Sequence, residues 1–476
     1  MKKADVAIIG AGLSGIFAAY GLISARPDLH IVLFEEGEPI ASRSCPIIRG
    51  DVSKCIHCKK CAVMHGFGGA GAFSDGKFNF TAEFGGWLTD YMSASQVMKL
   101  IEDVDAVNVK FGANGQIYST ETPESEAIRR RALSYDIHLL NARCKHLGTE
   151  KNFQVLMNLY EWIDKRIELH CNTSVSSITP MINGKPVLHE EGNVPDSYVL
   201  ETSKGKCACD ILIAAPGRSG SEWFSNICRS LKLPVLNNRV DLGVRVELPA
   251  LVFKDITDAM YEAKLKYMTR VYKDIVRTFC MNPYGYVVAE NTDGIVTVNG
   301  HSYDDPNLRS ENTNFALLVS NRFTEPFKEP NRYGRHIASL SNMLGGGVMV
   351  QRLGDLRDGR RTNEHRMSKS FVKPTLDATP GDLSLVLPKR HLDNILEMIN
   401  VLDKLAPGTA NADTLLYGVE VKFYSARLQL SNTLETGLRN FFAIGDGAGI
   451  TRGLSQAGAS GLLVARSVLE RLDSGK

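Results

Sequence analysis

Two periods of hydrophobic patterning alternate along this chain. Ala4–Ile9 and Ile31–Phe34 are short apolar runs of the kind that form strands buried on both faces, and the apolar stretch between them has the length of a helix. Residues 95–111, 124–133 and 151–166 repeat apolar positions every three to four residues with charged outer faces, which predicts helices. Ile167–Ile178 returns to strand character. Tyr198–Thr202 and Lys206–Ala215 read as a hairpin around Ser203–Gly205. From about Val240 the strands alternate more: Asp241–Pro249, Arg277–Ala289, Ile295–His301 and Thr313–Ser320 suit an antiparallel sheet, with helices at 332–344 and 391–404 and a short connection at Tyr261–Met268. A last buried strand, Asn440–Ile444, precedes a final helix ending near Leu472.

The turn after the first strand carries chemistry. Gly10-Ala11-Gly12-Leu13-Ser14-Gly15 is G-x-G-x-x-G between a strand and a helix. The first glycine permits a sharp turn, the second lets backbone approach a pyrophosphate, and the third lets helix pack on strand. The helix then directs unpaired N–H groups and its positive dipole end at the phosphates. Glu35 ends the second strand twenty residues after Gly15, where a carboxylate reaches an adenosine ribose. A secretory signal is the competing reading of Met1–Ala25, but Asp5 and the glycines break the apolar run.

Length and composition narrow the class. A chain of 476 residues predicts at least two domains. The net charge of +2 without a basic tract gives no expectation of nucleic acid or an anionic membrane as partner. No run of 18 apolar residues predicts a membrane span. Ten cysteines are too dilute for a disulfide scaffold, and four of them fall within residues 45–61, so a reducing cytoplasm is expected.

Those four, Cys45, Cys55, Cys58 and Cys61, have the spacing C-x9-C-x2-C-x2-C, with Pro46 after the outlying one. A short three-cysteine arm and a distant Cys-Pro resemble the ligand runs of bacterial ferredoxins, and a [4Fe-4S] cluster is the favoured occupant. Lys54, Lys59 and Lys60 would offset its negative charge. Zinc, with His57 or His65 available, and a redox-active C-x-x-C pair are the other readings.

Three further segments suggest cofactor contact. Gly66–Lys77 is rich in glycine and alanine and presents successive backbone N–H groups, with Gly69 at its centre and Lys77 placed to balance an anion. The strand ending at Ala215 runs into Pro216-Gly217, and Phe441–Ile444 runs into Gly445-Asp446, whose carboxylate would bond a ribityl hydroxyl. The following helix N-terminus suits negative charge on a reduced flavin ring.

With these segments the chain resembles flavoproteins of the glutathione-reductase-like superfamily, in which both ends of the chain hold FAD on one sheet. More narrowly it resembles the FAD-dependent dehydrogenase family, through GFGGAGAFSDGKFN (66–79), DLGVRVELP (241–249), RTFCMNPYGYVV (277–288), NTNFALLV (312–319), LGGGVMVQRLGDLRDGRR (344–361) and FFAIGDGAGITRGLSQAGASG (441–461). The resemblance implies FAD binding and redox chemistry without a defined substrate. No second G-x-G-x-x-G follows a strand, so a separate NAD(P)H domain is not expected.

The expected architecture is α/β: a Rossmann-like FAD-binding domain with a mainly parallel sheet, formed by 1–236 and 406–476, and an inserted α+β substrate or cap domain at 237–405. The expected activity is an FAD-dependent oxidoreductase acting on a small organic molecule, its cluster passing electrons to or from a ferredoxin-type carrier. Gly10, Gly12, Gly15, Glu35, Gly69, Gly217, Gly445 and Asp446 would hold FAD. Lys77, Arg352 and Cys280 are the residues for chemistry, each with a structural ion pair or buried thiol as its alternative. The rival functions are a flavin-dependent RNA-modifying protein, disfavoured by the near-neutral charge, and a non-catalytic FAD-bound module whose cysteine loop docks a partner.

Overall fold

Strand β1 (Ala4–Ile9) has parallel neighbours on both sides in the computed structural model of the chain. The structure describes residues 3–474 apart from 47–48, 53–55, 57, 59, 75, 116, 120, 141–142, 188–193, 237–238, 261–262, 293, 304–305, 322, 324–326, 328 and 423–426. On one side of β1 lies β2 (Ile31–Phe34), with Val6 opposite Ile31, followed by Glu168–His170. On the other lies Gly205–Ala214, which also pairs in parallel with Phe441–Ala443. Ser197–Thr202 and Val175–Ile182 extend this sheet antiparallel. All five parallel strands therefore end on the same edge.

Helix α1 (Leu13–Ala25) is apolar around most of its circumference because the sheet and the final helix, Leu454–Ser474, enclose it. Gly461 makes that packing possible: a Cβ there would stand 2.2 Å from the Ser14 carbonyl oxygen. Helix α2 (Ala94–Lys110) starts in a Ser93/Gln96 capping box and buries Val97, Leu100, Ile101 and Val104. These elements form one unit from Met1–Tyr118, Ala142–Leu236 and Ser425–Lys476.

The second unit, Ser119–Asn141 with Asn237–Tyr424, is organised on an eight-stranded sheet. Its central strand, Val240–Pro249, pairs antiparallel with Asn312–Asn321 and Leu415–Lys422. Leu242, Val244, Val246 and Leu248 join the apolar core with helices Ala250–Ala259 and Lys389–Leu405. The alternate positions Asp241, Arg245 and Glu247 are polar, yet they are fully buried as well.

The division of the chain departs from the expected one in two places. Residues 406–424 belong to the second unit rather than the first, because Leu415–Lys422 lies between Val240–Pro249 and Met349–Arg352. Residues 119–141 also join it: Ile137–Leu139 adds an edge strand beside Leu265–Met268, and Ile128 and Ala132 of the helix Pro123–Leu133 enter its core. Among the described residues no helix is long and apolar enough to cross a membrane.

Candidate functional site

The turn out of β1 is built around atoms that leave no room for side chains. Gly10 has φ of +99°, and a Cβ on it would stand 2.1 Å from the Ala215 carbonyl oxygen. One on Gly15 would stand 2.0 Å from the Gly10 carbonyl oxygen. Gly12 differs: no protein atom lies within 4 Å of its Cβ position, and no side chain caps α1. The α1 N-terminus is thus presented bare on an open side of the turn. Gly68 closes the other side by donating its N–H to the Ala11 carbonyl at 2.8 Å, and Gly69 packs against the Gly12 backbone.

Glu35 binds these pieces into one structure. Its Oε2 accepts the Ala11 N–H at 2.8 Å; its Oε1 accepts those of Gly37 at 2.8 Å and Gly66 at 2.9 Å. A carboxylate offers about four lone-pair sites, so one acceptor position is left for a ligand hydroxyl.

The other strand exits converge on the same edge. Gly445 follows Phe441–Ala443, and a Cβ on it would stand 2.4 Å from Ser14 Oγ. The Gly447 backbone sits against Gly217. Asp446 accepts the Thr451 hydroxyl at 2.8 Å and pairs with Arg218 at 3.4 Å. Burial raises the Asp446 carboxyl above the ordinary aspartate range, and Arg218 offsets part of that rise.

A clasp that sequence reading missed lies at the start of the final helix. Gly85 accepts the N–H groups of Arg452 at 2.9 Å and Gly453 at 3.1 Å, while Trp87 donates to the Ile450 carbonyl at 2.8 Å. Gln456 donates its side-chain amide to Phe84 at 2.9 Å. The buried Gln456 Oε1 and Ser455 Oγ have no hydrogen-bond partner in the first two turns of that helix. The glycine pair Gly85-Gly86 was the available signal, and it carries no G-x-G-x-x-G pattern.

Around the cysteines, an arginine does the organising. Arg43 is buried and donates to the carbonyls of Ala62 at 3.0 Å, Val63 at 2.9 Å and Phe67 at 2.7 Å. Desolvation lowers its pKa to about 10, against the pull of Glu35 and Cys61. Cys45 and Cys61 are half-buried and Cys58 is exposed. The expected four-thiolate site is not assembled among the described residues, where no three His, Cys, Asp or Glu side chains are grouped to hold a metal. Cys55, with Lys54, His57 and Lys59, lies outside the described residues.

The three residues expected to do chemistry are divided between the two units. Lys77 opens the strand Lys77–Phe80 in the first unit, whereas Cys280 and Arg352 belong to the second. Arg352 is engaged in ion pairs with Asp413 and Asp355. Cys280 sits at φ of +36° in a bulge of Ile275–Asn282, where its carbonyl accepts from Arg245 at 3.2 Å and Asn282 at 2.9 Å.

Comparison with known proteins bears on both units. Residues 240–423 match the family described as "FAD-dependent protein, C-terminal domain-like". A Clostridium beijerinckii protein described as uncharacterized is 27% identical, over 99% of this chain and 82% of its own. Among solved structures, an E. coli quinol fumarate reductase FrdA variant is 12% identical with a TM-score of 0.44, covering 100% of this chain and 71% of its own. Glycine oxidase from Geobacillus kaustophilus is 12% identical with a TM-score of 0.37, covering 99% and 95%.

Proposed function

We propose that this chain is an FAD-dependent oxidoreductase acting on a small organic substrate. The observation that carries it is the meeting, on one edge of the parallel sheet, of the Gly10–Gly15 turn, Glu35 and Asp446. The residues present fit FAD on two counts. The Gly12 side of the turn is the one the protein leaves open, and the buried Ser455 Oγ and Gln456 Oε1 are polar atoms without protein partners at a helix N-terminus.

In this reading the α1 N-terminus and the backbone at Gly12 and Gly69 bind the pyrophosphate, and the remaining acceptor site of Glu35 takes a ribose hydroxyl. Asp446 and the backbone at Gly217 and Gly445 orient the ribityl chain. The final helix directs its positive end at the ring. FAD supplies hydride or single-electron transfer once bound. The 84–87 clasp limits the access of water to the start of that helix. Asp446, with its raised pKa, is the group in the first unit placed to hold a proton there.

The cysteine arm is anchored through Gly66 and Arg43 to Glu35, at the ribose end of the turn. The single G-x-G-x-x-G of the sequence supports exchange of electrons with a ferredoxin-type carrier.

Purification and an absorbance spectrum test the reading. A yellow protein releasing about one FAD per chain, as a single fingerprint requires, is the expected result. Anaerobic photoreduction followed by a screen of oxidants then separates small-molecule from protein acceptors. A colourless protein that takes up no FAD would overturn the proposal.

A further inference from the structure

Away from the dinucleotide turn, the first unit carries a cleft of about 560 Å³ where the C-terminal ends of α2 and of the helix Thr149–Asp164 come together. Its walls include Lys110, Phe111, Glu161, Trp162, Lys165 and Arg166. Tyr20 of α1 stands beside it, its ring centred 5.0 Å from that of Trp162 and tilted 45° to it. Tyr20 lies seven residues past Leu13, about 10 Å along the helix from the turn.

Three features of this cleft point to a ligand with a flat ring and a negative charge. First, the Lys110 ammonium is centred among three rings, 5.5 Å from Tyr20, 5.8 Å from Trp162 and 5.9 Å from Phe111, and donates to the Tyr20 hydroxyl at 3.2 Å. The rings fix the charge in place without neutralising it. Second, the Arg166 guanidinium lies 4.3 Å over Trp162 and is held by a 2.8 Å bond to the Trp162 carbonyl. It is exposed, so its outer face is a prepared stacking surface. Third, the charges do not balance. Lys110, Lys165 and Arg166 have no ion-pair partner among the described residues. Against these three cations stand Glu161 and two helix C-termini of about half a charge each, leaving a surplus of about one positive charge.

We propose that this cleft binds a nucleoside monophosphate, its base stacked on Arg166 and its phosphate held by Lys110 and Lys165. The volume falls in the range of roughly 300–1,000 Å³ typical of small-ligand clefts. Ring stacking on a guanidinium is tolerant of base identity, so purines and pyrimidines bind, the larger rings more tightly. The site is separate from the Gly10–Gly15 turn and does not depend on the flavin reading.

Calorimetric titration of the full-length protein, as purified with whatever cofactor it retains, tests this with AMP, GMP, CMP and UMP and with inorganic phosphate. Saturable binding at about one site per chain is expected, with phosphate weaker than AMP by about tenfold or more. Lys165→Ala and Arg166→Ala change exposed residues and should each weaken AMP by about tenfold. Release of retained cofactor into the filtrate in proportion to AMP bound would place the nucleotide elsewhere and overturn the proposal. No saturation by roughly 5 mM nucleotide, equal affinity for phosphate and AMP, or AMP binding unaltered in both variants would each overturn the proposal.

Discussion

Glu35 holds the backbone N–H of Gly66 at 2.9 Å, joining two segments that lie thirty-one residues apart in the chain. The same carboxylate holds Ala11 in the glycine turn. One side chain therefore couples the nucleotide turn, the exit of β2 and the end of the cysteine arm. Replacing it by alanine leaves three backbone N–H groups without their acceptor. Because a buried unsatisfied donor costs about 1–3 kcal/mol, Glu35→Ala should lose about 3 kcal/mol or more in urea unfolding and emerge from purification depleted of flavin.

The glycines of the turn separate folding from binding. Gly10→Ala places a methyl 2.1 Å from a carbonyl oxygen at a positive φ, so it should lower the melting temperature whether or not cofactor is present. Gly12→Ala meets no protein atom within 4 Å. Its apo form should melt as the parent does while its FAD affinity falls by about tenfold or more. Equal losses of stability in the two apo variants would contradict the assignment of the open side of the turn.

Asp446 carries a pH signature. Its folded-state pKa is raised by burial, so the folded protein favours the protonated acid, and stability present at low pH is lost as pH rises through that value. Asp446→Asn should make the apo protein more stable than the parent at neutral pH, with the difference closing near the ordinary aspartate range, about pH 4. Flavin content should fall in the same variant. Matched unfolding curves at both pH values measure it.

In the second unit, His391 titrates in the opposite sense. Burial lowers its pKa from 6.5 to about 4, outweighing the pull of Asp274, while Arg390 acts with burial. The folded state favours neutral imidazole, so the stabilisation is complete above pH 6.5 and is lost as pH falls toward about 4. Roughly 2 kcal/mol should be lost by about pH 5, and His391→Gln should flatten that dependence in urea unfolding.

The buried pair of Arg245 and Glu420 should behave as a unit. Arg245 Nε bonds Glu420 at 2.8 Å, and Asn314 and Asn299 take further guanidinium protons at 2.8 and 3.1 Å. Arg245→Met leaves the buried Glu420 carboxylate with Lys422 as its remaining ion partner and should cost about 3 kcal/mol. Adding Glu420→Gln should restore much of that loss, since the amide carries no charge and its oxygen can still accept from Lys422. A double-mutant cycle with no coupling would show that the pair is not one unit.

What could be read from residue order alone was local. The strand–turn–helix with its three glycines, the acid that ends β2 and the Gly445-Asp446 exit are short patterns whose spacing is set by backbone geometry, and the structure places all of them on one edge of one sheet. The helices Ala94–Lys110, Pro123–Leu133 and Thr149–Asp164 followed from their apolar period. Membership of the units did not. Residues 406–424 and 119–141 join the second sheet through hydrogen bonds to strands more than a hundred residues away, which no local period encodes. Arg43 is one arginine among many in the sequence, and its burial under the carbonyls of 62–67 exists because the chain folds back over it. The rings around Lys110 come from three helical segments with no shared motif. Covalent spacing specifies where a backbone can turn; which distant side chains share a low-dielectric space is decided when the sheets and helices close upon one another.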